Sequence, residues 1–95
     1  MNQDLQGRIA LVTGASSGLG FASAEALARR GATVAIASRG GDKLDAARTR
    51  LADSGARVGA FSADVSDPAA LQDLVAAVQS KLGEIDILVA NGGGP

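Results

Sequence analysis

The chain has 95 residues, of which nine are Lys or Arg and ten are Asp or Glu, so its net charge is −1. This length fits one small domain with a single core, and the charge balance argues against a general attraction to nucleic acid. The chain contains no cysteine, histidine, tyrosine or tryptophan. The composition therefore excludes disulfides, zinc–thiolate sites and thiol nucleophiles, and it removes the commonest general base from any mechanism carried by this chain alone.

The apolar stretches of the sequence are all short. No basic segment precedes a long apolar run at the N-terminus, and no stretch approaches the length of a membrane span. We therefore expect a soluble, cytoplasmic domain.

The most informative stretch is a glycine-rich turn between a buried strand and a helix. Residues 8–13 predict a strand buried on both faces, because their apolar residues run continuously instead of alternating. Residues 13–20 then form the turn, and a helix is predicted to continue to Arg30. Such a turn brings backbone close to a ligand, and the helix N-terminus offers unpaired N–H groups at a positive dipole end. The pattern predicts a site for a diphosphate.

Strands and helices are predicted to alternate along the rest of the chain. Further strands are predicted over residues 33–38, 57–63 and 85–90. Asp42 is expected to cap the second helix, and Asp67 to cap the third with Pro68 at its first position. The buried stripe predicted for the third helix comprises Leu71, Leu74, Val75, Val78 and Leu82. The order β-α-β-α-β-α-β predicts a Rossmann-like three-layer α/β fold, with a partial, doubly wound parallel sheet in the strand order 3-2-1-4.

Three motifs resemble those of the short-chain dehydrogenase/reductase family. Thr13, Gly14, Gly18 and Gly20 fill that family's T-G-x-x-x-G-x-G turn without a gap. Asp64 follows the third strand, and an N-x-G loop follows the fourth, as in the family. The residues around the turn look most like those of the branch that contains 3-oxoacyl-acyl-carrier-protein reductases. The resemblance implies that residues 1–95 are one partial Rossmann domain that binds a dinucleotide.

The resemblance and the pattern together select thirteen candidate cofactor-binding residues at the ends of the predicted strands. They are Gly14, Ser16, Ser17, Gly18, Leu19, Gly20, Ser38, Arg39, Asp64, Val65, Asn91, Gly92 and Gly93. Their glycines can also serve tight turning and close helix packing alone, and their serines are ordinary turn residues.

Arg39 decides which dinucleotide we expect. An acid at the end of the second strand would accept hydrogen bonds from the adenosine ribose and would repel a 2′-phosphate. Here Ser38 occupies that place and Arg39 follows it, and a guanidinium pairs with phosphate and can stack on adenine. The alternative is a solvated loop arginine. The sequence favours NADP(H) over NAD(H).

The other two motifs complete the expected site. The resemblance implies that Asp64 accepts the adenine amine while Val65 supports the ring, although Asp64 could instead be a helix-entry acid. Asn91 and Gly93 match the second asparagine and the glycine of the family's N-N-A-G loop, whereas Ala90 and Gly92 depart from it. The alternative for this loop is a flexible glycine turn.

The family's catalytic serine and Tyr-x-x-x-Lys pair match no residue of this chain, so we expect no catalytic residue and negligible carbonyl reduction from it alone. The fourth strand is expected at a sheet edge and is apolar on both faces, which predicts a homodimer or higher oligomer through that strand. Two readings stay open beside the NADP-dependent oxidoreductase fragment. One is a self-associating, non-catalytic half-Rossmann module, and the other is a site for a different phosphorylated nucleotide.

Overall fold

The chain forms a four-stranded parallel sheet with helices on both faces. A computed structural model describes residues 4–16 and 18–91, so Ser17, Gly92 and Gly93 among the candidate residues lie outside the described part. The elements are β1 (Ile9–Thr13), α1 (Gly18–Arg29), β2 (Thr33–Ser38), α2 (Asp42–Asp53), β3 (Val58–Ser62), α3 (Pro68–Lys81) and β4 (Ile87–Ala90). None of the described helices combines the length and apolar character needed to cross a bilayer.

The sheet order is β3-β2-β1-β4 with every neighbouring pair parallel, so the predicted topology is confirmed. The strand order reverses direction between β1 and β4, which places a crevice at the carboxyl ends of these two strands. The central strands β1 and β2 are buried on both faces, as their continuous apolar runs predicted. One face packs against α1 and α2, and the other packs against α3 through Leu74 and Val78.

The predicted strands were too long at their ends. Arg8, Arg57, Ala63, Ile85 and Asp86 lie outside the strands, although several of them contribute single ladder hydrogen bonds. The clearest case is Asp86, whose carboxylate accepts the Ile9 N–H at 2.9 Å in place of a backbone carbonyl. Regular pairing of β4 therefore begins at Ile87.

The helix boundaries also need correction. Asp42 is not the N-cap of α2. Gly41 is the N-cap, because its carbonyl accepts the first intrahelical hydrogen bond, from the Asp45 N–H, and no side chain caps this helix. Asp42 is instead the first helical residue, where its charge favours the positive dipole end. Asp67 does cap α3, accepting the Ala69 N–H at 3.0 Å, and Pro68 follows it as predicted. The first helix ends at Arg29, one residue before the predicted Arg30.

The predicted buried stripe of α3 is confirmed at four of its five positions, since Leu74 and Val78 are buried and Val75 and Leu82 pack against the same cluster. Ala70, Leu74 and Ala77 line the groove between this helix and β3, and Val78 is fully buried. The prediction is wrong only for Leu71, which lies on the flank of the helix and is exposed.

Helix α1 begins in direct contact with the turn that follows β1. A Cβ atom placed on Gly20 would lie 2.0 Å from the Gly14 carbonyl oxygen, whereas one placed on Gly18 would meet no heavy atom within 4 Å. Gly18 has a different requirement, because its φ of 62° lies in the left-handed region. Gly20 is therefore needed for close approach and Gly18 for its backbone conformation.

This difference predicts unequal costs for two substitutions. Gly20→Ala should lower the free energy of unfolding by about 3 kcal/mol or more, because backbone must move to admit the methyl group. Gly18→Ala should lower it by only about 1–2 kcal/mol, the cost of a left-handed residue with a side chain. Urea unfolding followed by circular dichroism measures both variants. An equal loss in the two variants would contradict the packing role of Gly20.

Candidate functional site

The candidate residues of the described part gather at one edge of the sheet. Because all four strands are parallel, the loops after Thr13, Ser38, Ser62 and Ala90 leave from the same edge. In open α/β sheets this carboxyl edge is where ligands bind. The structure therefore brings the three sequence motifs to the same side of the molecule.

The turn after β1 and the loop after β4 are joined by the buried Thr13 hydroxyl. It accepts the Asn91 N–H at 3.1 Å and lies 3.4 Å from the Asn91 carbonyl oxygen, to which it donates. The turn backbone is also close to this loop, since a Cβ atom on Gly14 would lie 2.7 Å from the same carbonyl oxygen. Asn91 thus lies directly beside Gly14 at the edge of the crevice between β1 and β4.

Asn91 carries the only buried side-chain nitrogen or oxygen atom in residues 4–16 and 18–91 that lacks a hydrogen-bond partner. This atom is its amide nitrogen, Nδ2. An unpaired buried amide N–H costs free energy, and a ligand hydroxyl or phosphate oxygen would satisfy it. The unpaired amide therefore indicates that a polar ligand belongs against this loop.

The loop after β2 carries Arg39, which is exposed at the carboxyl edge. Within the described residues its guanidinium makes no ion pair. The peptide group that follows it is held by two serines: the Gly40 N–H donates to the Ser38 Oγ at 3.3 Å, and the Ser62 Oγ donates to the Arg39 carbonyl at 3.0 Å. The arginine main chain is thus anchored while its charged group stays available to an anion.

The loop after β3 carries Asp64, whose carboxylate is oriented by Ser66. The Ser66 N–H and hydroxyl both donate to Oδ1, at 3.0 and 2.6 Å. These hydrogen bonds lower the pKa of Asp64 below its ordinary value, and the positive charge of Arg39 lowers it further. Asp64 is consequently ionised at neutral pH, and its Oδ2 takes no part in the bonds from Ser66.

The remaining candidates in the described part differ in their surroundings. Ser16 is half-buried in the turn, whereas Leu19 is 80% exposed and points away from the core. Val65 is half-buried and packs against the apolar cluster beneath α3. No group of three or more carboxylates that could hold a metal ion occurs in residues 4–16 and 18–91.

Two residues of the site were missed in the sequence. Ser66 could have been found, because an aspartate followed two residues later by a serine is a common turn in which the carboxylate accepts the serine N–H. Ser62 could not, because its partner Arg39 is 23 residues away and their contact depends on the register of β2 and β3.

Comparison with known protein families gives an independent result. The family model described as short chain dehydrogenase matches residues 8–95. The chain is 47% identical over 89 residues to glycine betaine reductase ATRR of Emericella nidulans, covering 94% of this chain and 7% of that protein. It is 46% identical over 89 residues to 1-deoxy-11-beta-hydroxypentalenate dehydrogenase of Streptomyces avermitilis, covering 94% of this chain and 33% of that enzyme.

Solved structures show the same relationship. L-Sorbose reductase of Gluconobacter frateurii, complexed with NADPH and L-sorbose, superposes with a TM-score of 0.91 at 38% identity, over 99% of this chain and 36% of that one. An actinorhodin polyketide ketoreductase variant with NADPH superposes with a TM-score of 0.89 at 35% identity, over 100% of this chain and 36% of that one. The chain thus spans about a third or less of the length of these relatives. By its motifs, its fold and these matches, the chain belongs to the short-chain dehydrogenase family.

Proposed function

We propose that this chain is the NADP(H)-binding portion of a short-chain oxidoreductase that interconverts carbonyls and alcohols. The observation that carries the proposal is the placement of Arg39. It stands at the carboxyl end of β2, is exposed, and has no ion-pair partner in the described part of the chain. A dianionic 2′-phosphate on the adenosine ribose supplies the partner that this guanidinium lacks.

The diphosphate of the cofactor would lie over the turn between β1 and α1. Gly14 and Gly20 pack backbone against backbone there, so neither residue places a side chain between the turn and a ligand. The first N–H groups of α1 have no helical partners and sit at the positive end of its dipole. Backbone donors and dipole together favour a doubly charged diphosphate at this position.

Asp64 and Asn91 would contact the two nucleoside portions of the cofactor. The ionised Asp64 is an acceptor for the adenine amine through Oδ2, and Val65 beside it supplies an apolar surface for the ring. The unpaired Asn91 amide would donate to a ribose or phosphate oxygen at the other side of the turn. These residues bind and orient the cofactor, which supplies hydride transfer when bound.

The relatives support this proposal. Two solved structures similar to this chain hold NADPH. Since the chain spans about a third of these proteins, the reaction, its substrate and any catalytic residue belong to the whole protein and are proposals here. The likeness to 3-oxoacyl-acyl-carrier-protein reductases stays a prediction.

Calorimetric titration with NADP⁺ and NAD⁺ tests the proposal. Arg39→Ala should weaken NADP⁺ binding by roughly 10- to 100-fold, because a charge-assisted pair contributes about 1.5–3 kcal/mol, while NAD⁺ binding should change little. Arg57→Ala is the matched control, since this exposed arginine precedes β3 at the opposite end of the strand from Ser62. Unchanged NADP⁺ affinity in Arg39→Ala, or a preference of the unmodified chain for NAD⁺, would contradict the assignment.

We also propose that the chain self-associates through β4. In the described part of the chain β4 is an edge strand, and Leu88 is 61% exposed on one of its faces. The Thr33 N–H donates to the Arg8 carbonyl, so the even residues of β1 face β2 and its odd residues face β4. Leu11 is the register partner of Leu88, so the Leu11 carbonyl faces the N–H of the next residue, Val89. The Val89 N–H therefore points toward β1, whereas the Leu88 N–H points to the open edge.

This alternation predicts opposite effects for proline at neighbouring positions. Leu88→Pro should remove a donor from the open edge and shift the chain toward monomer in sedimentation velocity, with its fold retained. Val89→Pro should instead break a bond to β1 and lower the free energy of unfolding by about 3 kcal/mol. A monomeric unmodified chain at high concentration, or equal association of Leu88→Pro, would show that the edge does not pair.

A further inference from the structure

We propose that Ser62 is a positioning residue for the 2′-phosphate site and helps to set the preference for NADP⁺ over NAD⁺. This inference rests on the proposed function, because it concerns how the Arg39 side chain is presented to the cofactor. Ser62 touches neither the turn after β1 nor the guanidinium in the contacts described above. It acts through the main chain of the Arg39 loop.

The two serines that hold this loop are neighbours in the sheet. Ser38 ends β2, Ser62 ends β3, and the two are register partners, so their side chains emerge on the same face. The Arg39 carbonyl accepts from Ser62 at 3.0 Å, and the Gly40 N–H donates to Ser38 at 3.3 Å. These two groups are the opposite ends of a single peptide unit. Both hydrogen bonds together therefore fix the orientation of that unit, directly after the Arg39 Cα.

Gly40 permits this arrangement and is confined by it. Its φ of 97° lies in the region that favours glycine. A Cβ atom on Gly40 would lie only 2.6 Å from the Ser62 Oγ and 3.3 Å from the Ser62 Cβ. The loop thus passes directly over the Ser62 hydroxyl, with no room for a side chain between them.

These two hydrogen bonds matter because the Arg39 side chain has no other anchor among the described residues. Arginine loses much rotational freedom when it pairs with phosphate, and a mobile backbone would add to this loss on binding. With the peptide unit fixed beforehand, only the side chain has to become ordered. NAD⁺ makes no 2′-phosphate contact, so its binding should depend little on these two hydrogen bonds.

The test compares Ser62→Ala with two other serine substitutions in the chain. Ser62→Thr keeps the hydroxyl. Ser54→Ala is the matched control, because the Ser54 hydroxyl also donates to a backbone carbonyl, that of Leu51 at 2.7 Å, but at the end of α2. Calorimetry measures the dissociation constants for NADP⁺ and NAD⁺. Amide hydrogen exchange at Gly40, measured without cofactor, reports directly how firmly the two serines hold this peptide unit.

Ser62→Ala should weaken NADP⁺ binding by roughly two- to tenfold, the range expected for one lost hydrogen bond, and NAD⁺ binding by less than about twofold. Its Gly40 amide should exchange faster, whereas Ser62→Thr and Ser54→Ala should resemble the unmodified chain in both measurements. A merely structural role would weaken both dinucleotides equally or leave the Gly40 amide unchanged, and either result would overturn the inference. A selective loss in Ser54→Ala, or an equal loss in Ser62→Thr, would overturn it as well.

Failure of the proposed function would look different. The unmodified chain would then show no NADP⁺ binding, or Arg39→Ala would bind NADP⁺ as well as the unmodified chain, and the role assigned to Ser62 would fall with it. If the unmodified chain prefers NADP⁺ and loses this preference in Arg39→Ala but keeps it in Ser62→Ala, only the role of Ser62 is wrong.

Discussion

The site depends on the close packing of one backbone unit, Gly14, between the start of α1 and the end of β4. A side chain at Gly20 would collide with the Gly14 carbonyl, and one at Gly14 would collide with the Asn91 carbonyl. This packing places the N-terminus of α1 against the sheet edge and leaves bare backbone at Gly14 and Gly20. Bare backbone beside a helix N-terminus is what a diphosphate requires.

The second part of the site is electrostatic and lies at the ends of β2 and β3. Arg39 carries a positive charge without an ion-pair partner in the described residues, and Asp64 carries a negative charge stabilised by Ser66. Opposite charges on neighbouring loops suit a ligand that has a phosphate and an amine within one nucleotide. The fold contributes by ending two parallel strands side by side, so that residues far apart in sequence face one ligand.

The sequence predicted the fold well because strong local signals agreed with one another. Continuous apolar runs marked β1 and β2 as buried, and glycines and Asp67 marked helix ends, so the topology followed from general rules. Asp42 was misassigned because an acid before a helix fits both the N-cap and the first helical position. Ser62 and the unpaired Asn91 amide could not be predicted, since both depend on the register of strands and on atomic contacts across the sheet.

If the proposed function is correct, the turn after β1 and the Arg39 loop bind one dinucleotide together. An amide chemical-shift map of the isotope-labelled chain, titrated with NADP⁺, tests this directly. We expect the largest shifts at Ala15, Ser16, Arg39 and Gly40, changing in parallel with one dissociation constant. Shifts confined to the groove between β3 and α3, where Phe61 and Asp73 lie, would contradict it.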